Sequence, residues 1–350
     1  MTTCSSASTT SPDQAERDFR DAAAVNERPG DTPRIVVFGA GAVGCYFGGM
    51  LARTGAPVTL IGRASHVDAI ERNGLVIEWA DRRETVRVHA STSVADAADA
   101  VVVLVCVKST DTQAAARALA AHVRDDAAIV SLQNGVDNAD KLRDVVDRAV
   151  YAAVVYVGTF MNGPGIVRHA GRGDLVLGAE QRTSRRSDAF SRRDAIAAMF
   201  ARAGVPCSVT DDIAAALWTK LVINCAFNAI SALGRARYER MARSGPIRDV
   251  MTRAIGEAVR VAKKRGVALD EAALVAEVWR VAQALAGQHS STAQDIVRGK
   301  PTEIDALNGY VVAQADALGI DAPVNRTLHA LVKLREAGDD LSAAERTASS

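Results

Sequence analysis

The chain has 350 residues, 48% of them hydrophobic and 24% charged, with a formal net charge of +1. That length suits about two domains and a sizeable buried core. The near-neutral charge offers no electrostatic footprint for nucleic acid or an anionic membrane, and no apolar run approaches the roughly 18 residues that span a bilayer.

Residues 1–33 are rich in Ser, Thr, Asp, Glu and Arg and poor in apolar residues, which predicts a disordered tail without the apolar segment of a secretion signal. Order is expected from Arg34. Ile35–Phe38 is a β-branched strand ended by a glycine turn, Ala42–Arg53 has helical composition, and Val58–Ile61 is a second strand. Together they predict a βαβ unit with parallel strands. Leu75–Trp79 and Thr85–Val88 read as a hairpin around Asp81-Arg82-Arg83. Ala100–Val107 is apolar almost throughout, as a strand covered on both faces should be. A helix over Thr112–Val123, a strand over Ala127–Leu132 and further strands at Val150–Val157, Ile166 and Leu175 follow. Gln181–Arg193 reads as a solvated loop passing into a helix.

From Asp211 the composition turns helical, with breaks at Gly245-Pro246, Gly266, Gly299-Lys300-Pro301 and Gly319–Pro323. The predicted class is α/β: an N-terminal Rossmann-like doubly wound sheet with a C-terminal all-helical domain. The expected division is a tail over 1–33, a dinucleotide-binding domain over 34–210, a helical domain over 211–337 and a frayed tail over 338–350. The cysteines Cys4, Cys45, Cys106, Cys207 and Cys225 are odd in number and contain no CxxC, which fits a reducing cytoplasm. The six histidines are dispersed without ligand spacing, so no metal is expected.

Gly39-Ala40-Gly41-Ala42-Val43-Gly44 follows a strand and opens a helix. In a dinucleotide site the first glycine permits the tight turn, the second lets backbone approach a pyrophosphate, and the third allows close helix–strand packing. The helix N-terminus offers free N–H groups to the phosphates. The competing reading is an ordinary glycine-rich turn. At the end of the second strand, Ile61-Gly62-Arg63 lacks the acid that would hold a ribose 2′-hydroxyl. Arg63 instead suits the 2′-phosphate of NADP, which predicts NADPH over NADH; a solvated loop arginine is the alternative.

The segment Leu217–Asn228 places Lys220, Asn224 and Asn228 at i, i+4 and i+8, on one helical face amid apolar residues. Such a polar stripe faces either solvent or something polar inside the protein. Asparagine is a poor helix former, which weighs against a plain surface role. A partly buried lysine can lose basicity and serve as an acid near neutral pH.

Several separated motifs now stand in order: the glycine loop, Val107-Lys108-Ser109, Gln133-Asn134-Gly135-Val136, the Lys220–Asn224–Asn228 stretch, Ser290-Ser291, Thr302-Glu303-Ile304-Asp305 with Asn308-Gly309, and Gly319 with Pro323 and Asn325. In this set the chain resembles the ketopantoate reductase family (2-dehydropantoate 2-reductases), from Arg34 to about Ala337. The resemblance implies reduction of ketopantoate to pantoate by NADPH, in pantothenate biosynthesis. It implies that Lys220 is the general acid and that Glu303 holds the lysine and the substrate hydroxyl. It further implies that Asn224, Asn228 and Ser291 bind the substrate, and that Lys108 and Asn134 lie beside the nicotinamide and ribose, Asn134 also near the substrate. The sequence departs from the family pattern at Thr292, where an apolar residue such as methionine is expected, and at Gln288-His289.

Plainer readings stand beside these. Lys108 fits a solvated strand end, Asn134-Gly135 an ordinary turn, Ser291 with Gln294 a helix capping box, and Glu303 a helix N-terminus after Pro301. Two other functions also fit: reduction of a different branched 2-oxo acid on the same scaffold, and a non-catalytic NADP-binding regulatory module. A small-molecule 2-oxo acid is the expected partner, with no nucleic acid and no membrane, and with monomer and homodimer both open.

Overall fold

The β-branched run Ile35–Phe38 forms β1 of a ten-stranded mixed sheet in a computed structural model, which describes residues 33–178 and 186–338. Apart from residues 33 and 338, the tails expected at 1–33 and 338–350 lie outside the described residues, as does the start of the expected Gln181–Arg193 loop. After β1 come α1 (Ala42–Ala52), β2 (Val58–Ile61), α2 (Ala64–Asn73), β3 (Leu75–Glu78), β4 (Arg83–Val86), β5 (His89–Ser91) and β6 (Val102–Val105). Then follow α3 (Thr112–His122), β7 (Ala128–Ser131), α4 (Asn138–Arg143), β8 (Ala149–Gly163), β9 (Ile166–Gly178), α5 (Arg186–Arg202) and β10 (Cys207–Thr210).

Six strands run parallel in the order β5-β2-β1-β6-β7-β8. This is the doubly wound order of dinucleotide-binding sheets, with the chain reversing direction of growth between β1 and β6. The central strands β2, β6 and β7 are buried at every position, as a sheet covered on both faces requires. Strand β8 has 15 residues and serves two neighbours: Ala149–Ala152 pair with β7, and the segment from Ala153 pairs antiparallel with β9. Beyond it, β9 lies parallel to β3 and to β10, and β3 is antiparallel to β4.

The expected hairpin forms, but its second strand is Arg83–Val86 rather than Thr85–Val88, with Leu75 opposite Val86. The helices α2 and α4 and the strands β5 and β10 had no counterpart in the sequence reading. The three-residue β5 is too short to show a period, and β10 has no buried position. Helix α2 buries only Val67, Ala69 and Ile70.

The chain divides into two compact units. The first runs to Gln133 and resumes over Asp137–Ile213; the second joins Asn134–Val136 to the chain from Ala214 onward. The core of the first unit gathers Phe47 and Leu51 of α1, Leu60, Leu104, Tyr151 and Phe200. Phe47 meets Phe200 edge to face at 6.0 Å between ring centres.

The second unit is built from α6 (Ile213–Gly234), α7 (Tyr238–Arg243), α8 (Gly245–Lys264), α9 (Glu271–Ala284), α10 (Ser291–Val297), a short 3-10 turn (Ile304–Ala306), α11 (Asn308–Leu318) and α12 (Pro323–Glu336). The break expected at Gly245-Pro246 falls between α7 and α8, and the pair opens α8, where a proline costs no intrahelical hydrogen bond. Among the described residues α6 is the one helix long and apolar enough to cross a membrane. Lys220 and two asparagines interrupt its apolar run, which is why the sequence does not display it. Leu221, Val222, Cys225, Phe227 and Ile230 of this helix lie in the core of the second unit.

That core encloses a carboxylate. Glu257 of α8 is 3% exposed. Its oxygens accept from the backbone N–H groups of Val324 and Asn325, both at 2.9 Å, and from Asn325 Nδ2 at 2.8 Å. An anion at the N-terminus of α12 satisfies amides that the helix itself cannot. Asn325 Oδ1 accepts from Asn308 Nδ2 at 2.9 Å, and Asn308 also reaches the Cys225 carbonyl at 3.2 Å. Asn308 and Asn325 therefore serve as ties between helices.

Candidate functional site

The glycine loop has the geometry that a dinucleotide phosphate requires. Gly39 adopts φ +117°, and a Cβ there would lie 2.7 Å from the backbone of Cys106 and Val107 at the end of β6. A Cβ on Gly44 would strike the Gly39 carbonyl oxygen and come within 2.9 Å of Val37 Cγ1. Gly41 alone of the three faces open space. No side chain caps α1, and its first turn holds no acid. Its leading amides thus remain available to an anion, since the first turn lacks intrahelical acceptors. Ala40 contributes differently: it is buried, and its N–H is committed to the Ile61 carbonyl at 2.9 Å. Ala42 and Val43 form the start of α1.

Arg63 is exposed and occupies the N-cap of α2, whose first turn has no acidic residue. Arg63 follows the second strand as expected, and the helix behind it, which the sequence did not announce, adds a second source of positive potential. Lys108 is half-buried three residues beyond β6 and occupies the N-cap position of a 3-10 turn over Ser109–Asp111.

Gln133, which carried no role in the sequence reading, is 5% exposed. Its Nε2 donates to the Val107 carbonyl at 3.1 Å and to Thr112 Oγ1 at 2.7 Å, and its Oε1 accepts from Ser131 Oγ at 3.1 Å. Thr112 in turn donates to Asn138 Oδ1 at 2.8 Å. This buried chain ties the carboxyl ends of β6 and β7 together.

Within the second unit, Asn134 stands between Lys220 and Glu303. Lys220 Nζ donates to Asn134 Oδ1 at 2.8 Å, and Asn134 Nδ2 donates to Glu303 Oε2 at 3.0 Å. All three residues are half-buried. The carboxamide accepts on one side and donates on the other, so it connects a cation to an anion with matched polarity. The resemblance implies that Glu303 holds the lysine; here Asn134 links the two.

Along α6, Asn224 is half-buried and Asn228 is 3% exposed, so the stripe does not lie in bulk solvent. Asn228 Nδ2 reaches Ser291 Oγ at 3.5 Å. The cap of α10 is Ser290, not the Ser291 of the capping-box reading: Ser290 Oγ accepts from the Ala293 N–H at 3.1 Å and donates to the Asn228 carbonyl at 3.2 Å. Ser291 is thereby left exposed on the first turn of α10, with Thr292 buried behind it.

Burial pushes the Cys45 thiol up to about 12, and those of Cys106 and Cys225 higher still. These cysteines are core residues rather than nucleophiles. Among the described residues no group of three or more His, Cys, Asp or Glu side chains is arranged to hold a metal.

Comparison with known proteins places this arrangement. The family described as ketopantoate reductase PanE/ApbA matches residues 35–182, and its C-terminal counterpart matches residues 212–336. The chain belongs to the ketopantoate reductase family. It is an oxidoreductase of that type. A 2-dehydropantoate 2-reductase of Halobacterium salinarum is 38% identical over 310 residues, which cover 87% of this chain and 99% of that protein. The crystal structure of a PanE/ApbA family ketopantoate reductase from Ralstonia eutropha is 48% identical, with a TM-score of 0.80 over 87% of this chain and 98% of that one. D-mandelate dehydrogenase, solved with NADH and anilino(oxo)acetate, reaches the same TM-score of 0.80 at 21% identity over 87% of this chain and 98% of that one, a likeness of fold alone.

Proposed function

We propose that this protein reduces 2-dehydropantoate to pantoate with NADPH, the step that serves pantothenate biosynthesis. The observation that carries the reading is the Lys220–Asn134–Glu303 link in a chain of the ketopantoate reductase family. The glycine loop fits a dinucleotide: Gly41 is open, Gly39 and Gly44 have no room for a Cβ, and the helix behind is uncapped. Residues 34–210 are assigned to the cofactor and 211–337 to the substrate and its chemistry. Gly39–Gly44 would hold the pyrophosphate, Arg63 the 2′-phosphate, and Lys108 and Asn134 the ribose and nicotinamide. When bound, NADPH supplies the hydride that the ketone carbon accepts.

Lys220 is the general acid in this reading. Its ammonium donates a hydrogen bond to the ketone oxygen and gives up a proton as negative charge develops there. Glu303, through Asn134, keeps the ammonium oriented and accepts from the substrate hydroxyl. Asn224, Asn228 and Ser291 bind the remaining polar groups of the substrate. Free thiols agree with a cytoplasmic setting.

A second reading keeps the chemistry and changes the acid to another branched 2-oxo acid. It is favoured by Thr292, buried directly behind Ser291 where an apolar residue was expected. The test is NADPH oxidation across a panel of 2-oxo acids. 2-Dehydropantoate should give the highest kcat/KM; a better rate with another member would establish the second reading, and no oxidation with any would refute both.

A further inference from the structure

Glu303 belongs to a turn that is fastened on both sides. On one side the Thr302 N–H donates to Glu336 Oε1 at 2.7 Å, and Thr302 Oγ1 accepts from the Ile304 N–H at 3.2 Å. On the other, Asp305 offers both oxygens: Oδ1 meets His329 Nε2 at 2.7 Å and Oδ2 accepts from Lys333 Nζ at 3.0 Å. Lys333 also pairs with Glu336 at 2.9 Å, which closes the ring. Gly309 makes room for it, because a Cβ there would lie 2.8 Å from His329 Nε2.

His329, Lys333 and Glu336 occupy i, i+4 and i+7 of α12, a single face at ~100° per residue. Two residues flanking Glu303 are thus held by one face of one helix. Asp305 and Lys333 have side chains 52% and 44% exposed, so each pair alone adds little to stability. Their joint effect is geometric. Anchors at 302 and 305 fix the backbone between them, and that backbone sets the direction of the Glu303 carboxylate towards Asn134.

We propose that the His329–Lys333–Glu336 face of α12 is a positioning clamp, which acts through Asp305 and Thr302 to aim Glu303. The proposal rests on the reading of Glu303 given under Proposed function. None of the three clamp residues touches the reacting atoms, and their influence on rate passes through Glu303 alone.

The test is a double-mutant cycle in the full chain, with NADPH and the best 2-oxo acid of the panel. Asp305→Ala should lower kcat about tenfold, a displacement effect, while KM for NADPH changes less than about twofold. Lys333→Ala, on the exposed flank, should show the same split without loss of folding, and Lys333→Arg should restore most of the rate. In a Glu303→Ala background, Asp305→Ala should change kcat by less than about twofold, because the group being aimed is gone. An equal fall in both backgrounds would overturn the clamp and leave the role of Glu303 standing. Undiminished kcat in Asp305→Ala and Lys333→Ala would do the same. Full turnover in Glu303→Ala would remove the role of Glu303 and the clamp with it.

Discussion

Lys220 Nζ donates to Asn134 Oδ1 at 2.8 Å, across 86 residues of sequence. The same carboxamide donates to Glu303 at 3.0 Å, so its orientation is dictated from both ends. Asn134→Asp keeps the shape and removes the donor, and it sets a second carboxylate against Glu303. The pair cannot both stay ionised at that distance without cost. We expect kcat to fall roughly 10–100-fold with little change in folding, as displaced groups in a reacting site do. Steady-state kinetics beside a melting curve will show it; a variant with unaltered kcat would remove Asn134 from the site.

Lys220→Ala should lower kcat by about 10²–10⁴-fold, the usual worth of a general acid. NADPH binding, followed by fluorescence titration, should persist. Turnover that survives the change would assign the proton transfer elsewhere. Lost binding and lost turnover together would mark Lys220 as a cofactor ligand instead.

The doubly wound half was legible because its central strands are short buried runs, and the first two end in glycines. Lys220, Asn224 and Asn228 were legible as a stripe because helical spacing is local. What joins that stripe to Asn134 and Glu303 is contact at long range, which spacing cannot report. The same holds for Glu257: an acid inside α8 reads as a surface residue until the N-terminus of α12 is brought onto it. Gln133 was hidden for a similar reason, since its partners Val107 and Thr112 lie beyond another strand. The cap falls to Ser290 rather than Ser291 because a capping pattern tolerates a one-residue shift in sequence but not in space.

Arg63 stands at the N-cap of α2, exposed and with no acid in the turn that follows. Arg63→Ala should raise KM for NADPH by about 10-fold or more, from the loss of a charge-assisted contact, and leave KM for NADH nearly unchanged. Equal effects on the two cofactors would show that Arg63 does not read the 2′-phosphate.

Asn325 holds the buried Glu257 carboxylate and the Asn308 amide at once. Asn325→Ala leaves both short of a partner. Loss of a partner to a buried charged group costs about 3 kcal/mol. For a unit of this size that corresponds to a fall in Tm of roughly 6–12 °C. Calorimetry should detect it, with a smaller loss for Asn308→Ala, which leaves the carboxylate satisfied. A fall of equal size in both would place the cost in the amide pair rather than at Glu257.

The clamp on α12 also predicts a pH window. Burial works to raise the Asp305 carboxyl, but hydrogen bonds from His329 and Lys333 outweigh it and hold the group below its ordinary value. For Glu336 burial is likewise overcome, by Thr302 and Lys333. Lys333 is raised by the same partners, Glu336 first and then Asp305. Depressed carboxyls add stability that is present above their unfolded values and is lost as pH falls through the folded ones. The raised lysine adds stability that is present below its unfolded value and is lost only as pH rises through the folded one. The network is therefore complete at neutral pH and fails in acid, below about pH 4. Because Asp305 and Lys333 are about half exposed and solvent screens their pair, the gain at neutral pH is at most about 1 kcal/mol. The Tm difference between the unaltered chain and Lys333→Ala should be small at pH 7 and should shrink further as the pH falls below about 4; a difference that stays unchanged in acid would mean that packing of the lysine stem, not its charge, holds the turn.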